Sequence, residues 1–181
     1  MDLDKFWSIV EFGKDTEEPE SVLADQLDGL STEEIISFQE HMDMLMEKAY
    51  TWELWGAAYI AEGGCSDDGF IDFRYGLIAK GRKIFDQSVA NPDSLAMIDA
   101  DVISNEAFGY VPAEVYEAKT GQPIPRKRIS LLDEPIGDDF DFDNEEEMSG
   151  RYPDLYLKYS HYHKVTHGAS DPEKKPWWKI W

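Results

Sequence analysis

The stretch "STEEIISFQEHMDMLMEKAYTWELWGAAYIAEGG", Ser31 to Gly64, decides how the rest of the chain is read. It opens with a capping box, in which the Ser31 hydroxyl is placed to accept from the Glu34 amide while the Glu34 carboxylate reaches back. Leu30, just before it, is positioned to staple onto Ile35 or Ile36. Ile35, Phe38, Met42, Leu45, Met46, Ala49, Trp52 and Gly56 then follow at steps of three or four, which makes one continuous helix face. Gly63-Gly64 supplies a left-handed stop. The spacing predicts a single helix of about thirty residues, roughly 45 Å at 1.5 Å per residue, unless Gly56 bends it.

Outward from this spine the pattern stays helical. Upstream, Asp2 or Asp4 caps a short helix with Phe6, Trp7, Ile9 and Val10 inward and Gly13 near its end. Ser21 to Leu30 carries Val22, Leu23, Leu27 and Leu30 as a second amphipathic helix. Downstream, Ser66-Asp67-Asp68 starts a helix with Phe70, Phe73, Leu77 and Ile78 inward and Gly81 near its stop. Arg82 to Ala90 carries Ile84, Phe85 and Val89 and is broken by Asn91-Pro92. Leu95 to Ile103 is only weakly periodic. Glu106 to Thr120 ends at Gly121; Pro112 interrupts it, so this helix begins either at 106 or at Pro112 itself, where a first-turn proline costs nothing. The expected fold class is all-α: a small multi-helix bundle around one long central helix, covering residues 1–121.

Composition changes past Gly121. Pro123, Pro125 and Pro135 flank the basic triplet Arg126-Lys127-Arg128, and Asp133 to Glu147 holds nine acids and no base. Met148 to Trp181 reverses to six bases and three acids and is rich in Tyr and Trp. Residues 122–181 therefore read as an irregular C-terminal extension, acidic and then basic-aromatic. The whole chain of 181 residues has 17 Lys and Arg against 38 Asp and Glu, a net charge of −21. Such a surface repels nucleic-acid phosphates, so no nucleic-acid partner is expected; it attracts cationic proteins. One cysteine makes no internal disulfide and gives no sign of an oxidising compartment. The start, "MDLDKFWSIVEF", lacks the basic region and apolar run of a signal peptide. No run reaches about 18 apolar residues, so no membrane span is expected. The expected setting is the cytoplasm.

From Ala49 to Leu95, "AYTWELWGAAYIAEGGCSDDGFIDFRYGLIAKGRKIFDQSVANPDSL" resembles the bacterial family labelled domain of unknown function 4240. Within it the pattern "WGAAYIxxGGCSDDGF" is specific to that family, and the early "FW", "LSTEEI" and "YEAKTG" fit the same pattern. The resemblance covers about residues 1–121 and implies an α-helical bacterial domain. It implies no reaction, and no catalytic role passes to any residue here.

The joint after the spine gathers the candidate chemistry. Gly63 and Gly64 end one helix, Ser66 caps the next, and Asp67 and Asp68 sit at its positive end. Cys65 is then either a small buried apolar residue or a thiol at a helix N-terminus; the adjacent acids raise its pKa and make it a poor nucleophile. Gly69 in the first turn costs about 1 kcal/mol relative to alanine, which predicts a close approach to the backbone by another helix or a ligand. Asp68 and Asp72 share a face at i,i+4, able to hold a cation or to position Arg74 or Arg82. Trp52, Trp55 and Tyr59 share the face of the preceding helix, either as core or as the wall of a pocket beside Asp68. Trp52, Trp55, Tyr59, Cys65, Ser66, Asp67, Asp68, Asp72 and Arg74 thus form a candidate ligand pocket. No nucleophile–base pair, phosphate loop or metal-ligand spacing of established type accompanies them, and no cofactor or metal is expected. His161, His163 and His167 do not change that: on a helix, positions i and i+2 point about 200° apart.

In the extension, Asp139-Phe140-Asp141-Phe142-Asp143 alternates acid and aromatic, as partner-docking segments do. It is suited to pair with the basic segments of the same chain or to neutralise a cationic protein. Trp177, Trp178 and Trp181 must pack or bind something. The candidate partner-binding residues are therefore Phe140, Phe142, Trp177, Trp178 and Trp181. The residues favour a protein-binding module, regulatory or toxin-neutralising, that engages a cationic protein. The alternative is a small enzyme with its carboxylate and aromatic site around Trp52 to Arg74. Nothing in them sets an oligomeric state.

Overall fold

Side-chain caps fix where most of the helices begin. The structure, a computed structural model, describes residues 1–99, 102–125 and 134–166, with side chains as far as Tyr159. The Asp2 carboxylate accepts from the Lys5 amide at 2.8 Å and starts α1 (Leu3–Gly13). Pro19 opens α2 (Pro19–Asp28) in its first turn, where the missing N–H is harmless. Both halves of the capping box at Ser31 and Glu34 are present at the start of α3 (Thr32–Lys48). Lys5 also reaches Glu34 at 2.6 Å, and that bond holds the Glu34 carboxyl below its usual range.

The spine is two helices, not one. α3 stops at Lys48, and α4 (Trp52–Ala61) starts anew with Thr51 as its cap, the hydroxyl accepting from the Leu54 amide at 3.0 Å. The break falls at 49–51 and leaves Gly56 inside α4. Distant residues hold it open. Trp52 N–H donates to the Ile136 carbonyl at 3.0 Å, and Ile136 N–H donates to the Tyr50 carbonyl at 2.9 Å. This parallel bridge between Thr51 and Ile136 replaces hydrogen bonds that a continuous helix would have made. Among the described residues it is a lone bridge, and no strand accompanies it.

α5 (Asp67–Ala79) and α6 (Arg82–Ala90) follow the spacing, with Phe70, Phe73, Leu77, Ile78 and Phe85 all buried. Gly81 joins them at φ 89°, a left-handed conformation that favours glycine. A short 3-10 helix (Pro92–Met97) occupies the weakly periodic stretch. α7 (Glu106–Thr120) begins at Asn105, which accepts from the Phe108 amide at 3.0 Å, and so starts six residues before Pro112. Its early turns are held by packing: α7 lies against α2, α3 and α5, and a Cβ at Gly109 would collide with the Tyr75 ring. A Cβ at Gly76 would likewise overlap the Ile103 carbonyl, beside which Asn105 N–H donates to the Asp72 carbonyl at 3.0 Å. Two side-chain-free positions thus bring α5 and the start of α7 together.

The extension is not irregular throughout. Asn144 caps α8 (Glu145–Arg151) by accepting from the Glu147 amide at 3.2 Å. Three glutamates in the first turn of α8 complement its positive end. α9 (Pro153–Thr166) is capped from afar: the two carboxylate oxygens of Asp93 accept from the amides of Asp154 and Leu155 at 3.1 and 2.9 Å. Met148, Tyr152 and Leu155 are buried with the residues of α1 to α7. Charge dominated the reading of this segment, whereas its helicity rests on caps supplied partly by residues some sixty positions away. Among the described residues no helix is long and apolar enough to cross a membrane.

Candidate functional site

The joint between α4 and α5 is built largely from backbone. Gly64 N–H donates to the Tyr59 carbonyl at 2.8 Å, with Gly63 and Gly64 at φ 74° and 115°, closing α4 in a Schellman-type turn. Ser66 then caps α5, its hydroxyl accepting from the Gly69 amide at 3.2 Å, with Asp67 and Asp68 in the first turn. Trp55 pins the joint: its indole N–H donates to the Cys65 carbonyl at 2.9 Å. Trp55 also lies parallel to Trp52 at 5.3 Å and to Phe70 at 5.1 Å between ring centres.

Gly69 does not mark a close approach. A Cβ there would meet Ser66 Oγ at 3.4 Å and Cys65 Sγ at 3.7 Å, near ordinary van der Waals contact. The crowded glycines are others, Gly56 among them. Ser66, Asp67 and Asp68 are exposed, Cys65 and Asp72 half-buried. Burial, then Glu62 and Asp72, push the Cys65 thiol up to about 12, so it is protonated at neutral pH. Asp72 is raised by burial first, then by Glu106 and Asp68. Among the described residues no group of three or more His, Cys, Asp or Glu is placed to hold a metal ion.

Arg74 does not join these acids. It is 8% exposed, and its side chain runs from α5 back to the end of α3, where Nη1 donates to the Met46 carbonyl at 2.8 Å. Nε donates to the Phe70 carbonyl at 3.2 Å. The guanidinium lies over the rings of Tyr50 and Phe70 at 4.6 and 4.9 Å. A cation at the negative end of α3 is favourably placed, and aromatic faces stabilise it further. Desolvation lowers its pKa from an ordinary arginine value, yet it stays charged at any physiological pH. Arg82 pairs with Asp4 at 2.7 Å, on the α1 side of the bundle.

The face bearing Trp52, Trp55 and Tyr59 is covered by the acid–aromatic run. Phe142 lies 6.0 Å from Trp52, 6.1 Å from Trp55, 5.4 Å from Tyr59 and 5.1 Å from Phe140, ring centre to ring centre. Tyr59 donates its hydroxyl to Asp143 at 3.2 Å, and burial followed by Asp143 raises its pKa. Phe140 and the Tyr152 hydroxyl occupy the space that a side chain at Gly56 would need: a Cβ there would lie 2.8 Å from Phe140 Cζ and 2.7 Å from Tyr152 Oη. Arg151 stacks over Phe140 at 3.9 Å, pairing with Glu147 at 2.9 Å and also with Glu53. Tyr152 donates to the Glu53 carbonyl at 2.7 Å. The result is an aromatic cup on α4 with an acidic segment seated in it.

A family model described as "Protein of unknown function (DUF4240)" matches residues 1–118. The chain belongs to the DUF4240 family. The cup and the α4–α5 joint lie within the matched DUF4240 residues, whereas Ile136, Phe140, Phe142, Arg151 and Tyr152, which cover the cup, lie beyond them. No curated protein and no solved structure matches the chain.

Of the residues expected to form one pocket, the DUF4240 fold groups Trp52, Trp55 and Tyr59 under Phe142 and places Cys65, Ser66, Asp67, Asp68 and Asp72 along the adjoining turn and α5; Arg74 lies over Phe70 with its hydrogen bonds made to the Met46 and Phe70 carbonyls. Trp177, Trp178 and Trp181, like the basic triplet Arg126–Arg128 and His167, lie outside the described residues, and His161 and His163 lie on α9. The sequence reading did not single out Glu53, Ile136, Arg151 or Tyr152. A glycine in mid-helix, directly after Trp55 and three residues before Tyr59, was the signal for the cup, since it leaves a hole that some large group must fill.

Proposed function

We propose that the chain is a protein-interaction module that engages a cationic protein through the acidic surface displayed beside its α4 cup. The observation that carries this reading is the manner of display. Phe140 and Phe142 are held against Gly56, Trp52, Trp55 and Tyr59, which leaves Asp138, Asp139, Asp141, Asp143, Glu145 and Glu146 exposed on a run fixed to the bundle. Charges held in place attract a basic partner with less ordering cost than charges on a free tail. The chain-wide excess of 21 negative charges adds long-range attraction. A regulatory or toxin-neutralising role in the cytoplasm, in which a basic protein is held by this surface, is the form of the proposal.

Its test is whether position matters as well as charge. Affinity capture from cell extract at about 50 mM and about 500 mM salt identifies the retained basic protein, since screening weakens contacts between exposed charges. Its binding is then measured to two variants of equal charge. One carries Asp138→Asn, Asp139→Asn, Asp141→Asn and Asp143→Asn; the other carries Glu17→Gln, Asp25→Asn, Glu114→Gln and Glu117→Gln. The first is expected to lose most of the affinity and the second little. Salt-insensitive binding, or equal losses in both variants, overturns the proposal.

A further inference from the structure

We infer that residues 134–159 form a charge-gated arm. Aromatic seating closes it on the α4 cup against like charge, so screening tightens it and low ionic strength releases it. Only its link to a cationic partner rests on the proposed function; the gate itself belongs to the free chain.

The forces that close the arm and those that oppose it differ in kind. What closes it is apolar and backbone. Phe140 and Phe142 fill the space over Gly56, Trp52, Trp55 and Tyr59. Tyr152 and Leu155 are buried, and Ile136 pairs with the main chain at the α3–α4 break. Apolar burial carries no charge and is not screened. What opposes it is electrostatic. Residues 134–159 carry nine acids and two bases, a net −7, and residues 1–121 carry 26 acids and eight bases, a net −18. The remaining residues leave the whole chain at −21. Arg151 pairs with Glu53, and Asp93 sits at the positive end of α9, which offsets part of the repulsion. The phenols inside the interface report the sign of what is left. Tyr152 is raised first by burial and then by Glu53, with Arg151 opposing and Asp93 adding. Tyr59 is raised by burial, then by Asp143, with Asp141 adding.

The arm's acids are exposed, so ions reach them: Glu134, Asp138, Asp139, Asp141, Glu145 and Glu146 all face solvent. The screening length is about 30 Å at 10 mM salt and about 10 Å at 0.1 M. At the lower value the body repels the arm along its whole length; at the higher value only near neighbours still repel, and the rings hold the arm down. Opening uncovers Gly56, Trp52, Trp55 and Tyr59. A cationic protein held on the arm's acids acts in the same sense as added salt. By reciprocity the closed arm favours that protein as much as the protein favours closure.

Hydrogen exchange of the full chain, with no partner present, tests the gate at about 10 mM and about 100 mM NaCl. Amides of residues 136–155 are expected to exchange at least about tenfold more slowly at the higher salt, and amides of α3 and α5 to change less than about threefold. Two variants of equal charge then separate repulsion of the arm from a general effect of salt. Glu134→Gln/Asp138→Asn/Asp139→Asn stands in for a bound cation, and is expected to slow the same amides about threefold or more at the lower salt and to flatten their salt response. Glu17→Gln/Asp25→Asn/Glu114→Gln, away from the arm, is expected to leave them within about twofold of wild type. The inference is overturned by exchange in 136–155 that does not slow with salt, by an equal change in α3 and α5, or by equal effects of the two variants. A gate that responds as expected while no basic protein is retained on capture sinks the proposed partner alone; a retained protein with no salt response in 136–155 sinks the gate alone.

Discussion

Adding one methyl group at Gly56 separates two opposed effects. Glycine in the interior of a helix costs about 1 kcal/mol relative to alanine, so Gly56→Ala stabilises α4 considered by itself. The structure places that methyl 2.7 Å from Tyr152 Oη and 2.8 Å from Phe140 Cζ, closer than carbon and oxygen atoms tolerate. One of the two groups must move. Overpacking of this kind costs about 1–3 kcal/mol, and displacing the Tyr152 hydroxyl also strains its bond to the Glu53 carbonyl. With α4 taken as helical in both the seated and the unseated state, the helix gain cancels and the clash falls on docking alone. Backbone amides of residues 136–155 are expected to lose about 1–3 kcal/mol of protection, which is roughly 5- to 150-fold faster hydrogen exchange. Amides of α1, α3 and α5 keep their wild-type rates. Native-state exchange read by mass spectrometry distinguishes the segments. A Gly56→Ala chain with a higher melting temperature and unchanged exchange in 136–155 would refute the reading of Gly56 as the floor of a seat.

Three further outcomes are expected. Arg74→Ala leaves the Met46 carbonyl at the end of α3 without its donor and is expected to cost about 2–4 kcal/mol in urea denaturation; a loss under about 0.5 kcal/mol would contradict it. Cys65, raised from 9.0 to about 12, is expected to react with iodoacetamide at pH 8 at least about 30-fold more slowly than free cysteine, once the greater nucleophilicity of a more basic thiolate is allowed for; a rate equal to free cysteine would contradict it. The phenols of Tyr59 and Tyr152 are both raised, chiefly by burial, so each contributes stability that is complete below an ordinary tyrosine value and is lost as pH rises through the folded value. Tryptophan fluorescence should therefore report the arm leaving the cup above about pH 10, and a Tyr59→Phe/Tyr152→Phe chain whose alkaline transition is unchanged would count against this.

What the sequence made legible was whatever local chemistry determines. Asp2, Ser31 and Ser66 cap the helices expected of them, and Gly63-Gly64 closes α4 as read. The buried positions of α1, α3 and α5 follow the three-to-four spacing because that spacing sets a helix face. The expectations of one long helix and of an irregular extension failed through the action of distant residues. The break at Tyr50-Thr51 lies inside an unbroken periodic run, and its bonds come from Ile136 and Arg74. Pro112 left two starts open, 106 or 112, and the cap at Asn105 with the packing of Gly109 on Tyr75 selects the earlier. Charge alternation drew attention to 139–143, but the fold alone shows that its aromatics sit in the chain's own cup and that Arg74 bonds to the end of α3.

The pairing of Thr51 with Ile136 also sets an order of events during synthesis. Chains emerge from the ribosome at about 5–20 residues per second, so the partner for Tyr50 and Trp52 appears some 4–17 seconds after they do. Until then the nascent α3–α4 elbow has water in place of Ile136, while α5 and Arg74 are already out and able to brace it. The bend is drafted early by the domain itself and made permanent only by the last third of the polypeptide. A chain stalled before residue 136 would carry the elbow unlocked.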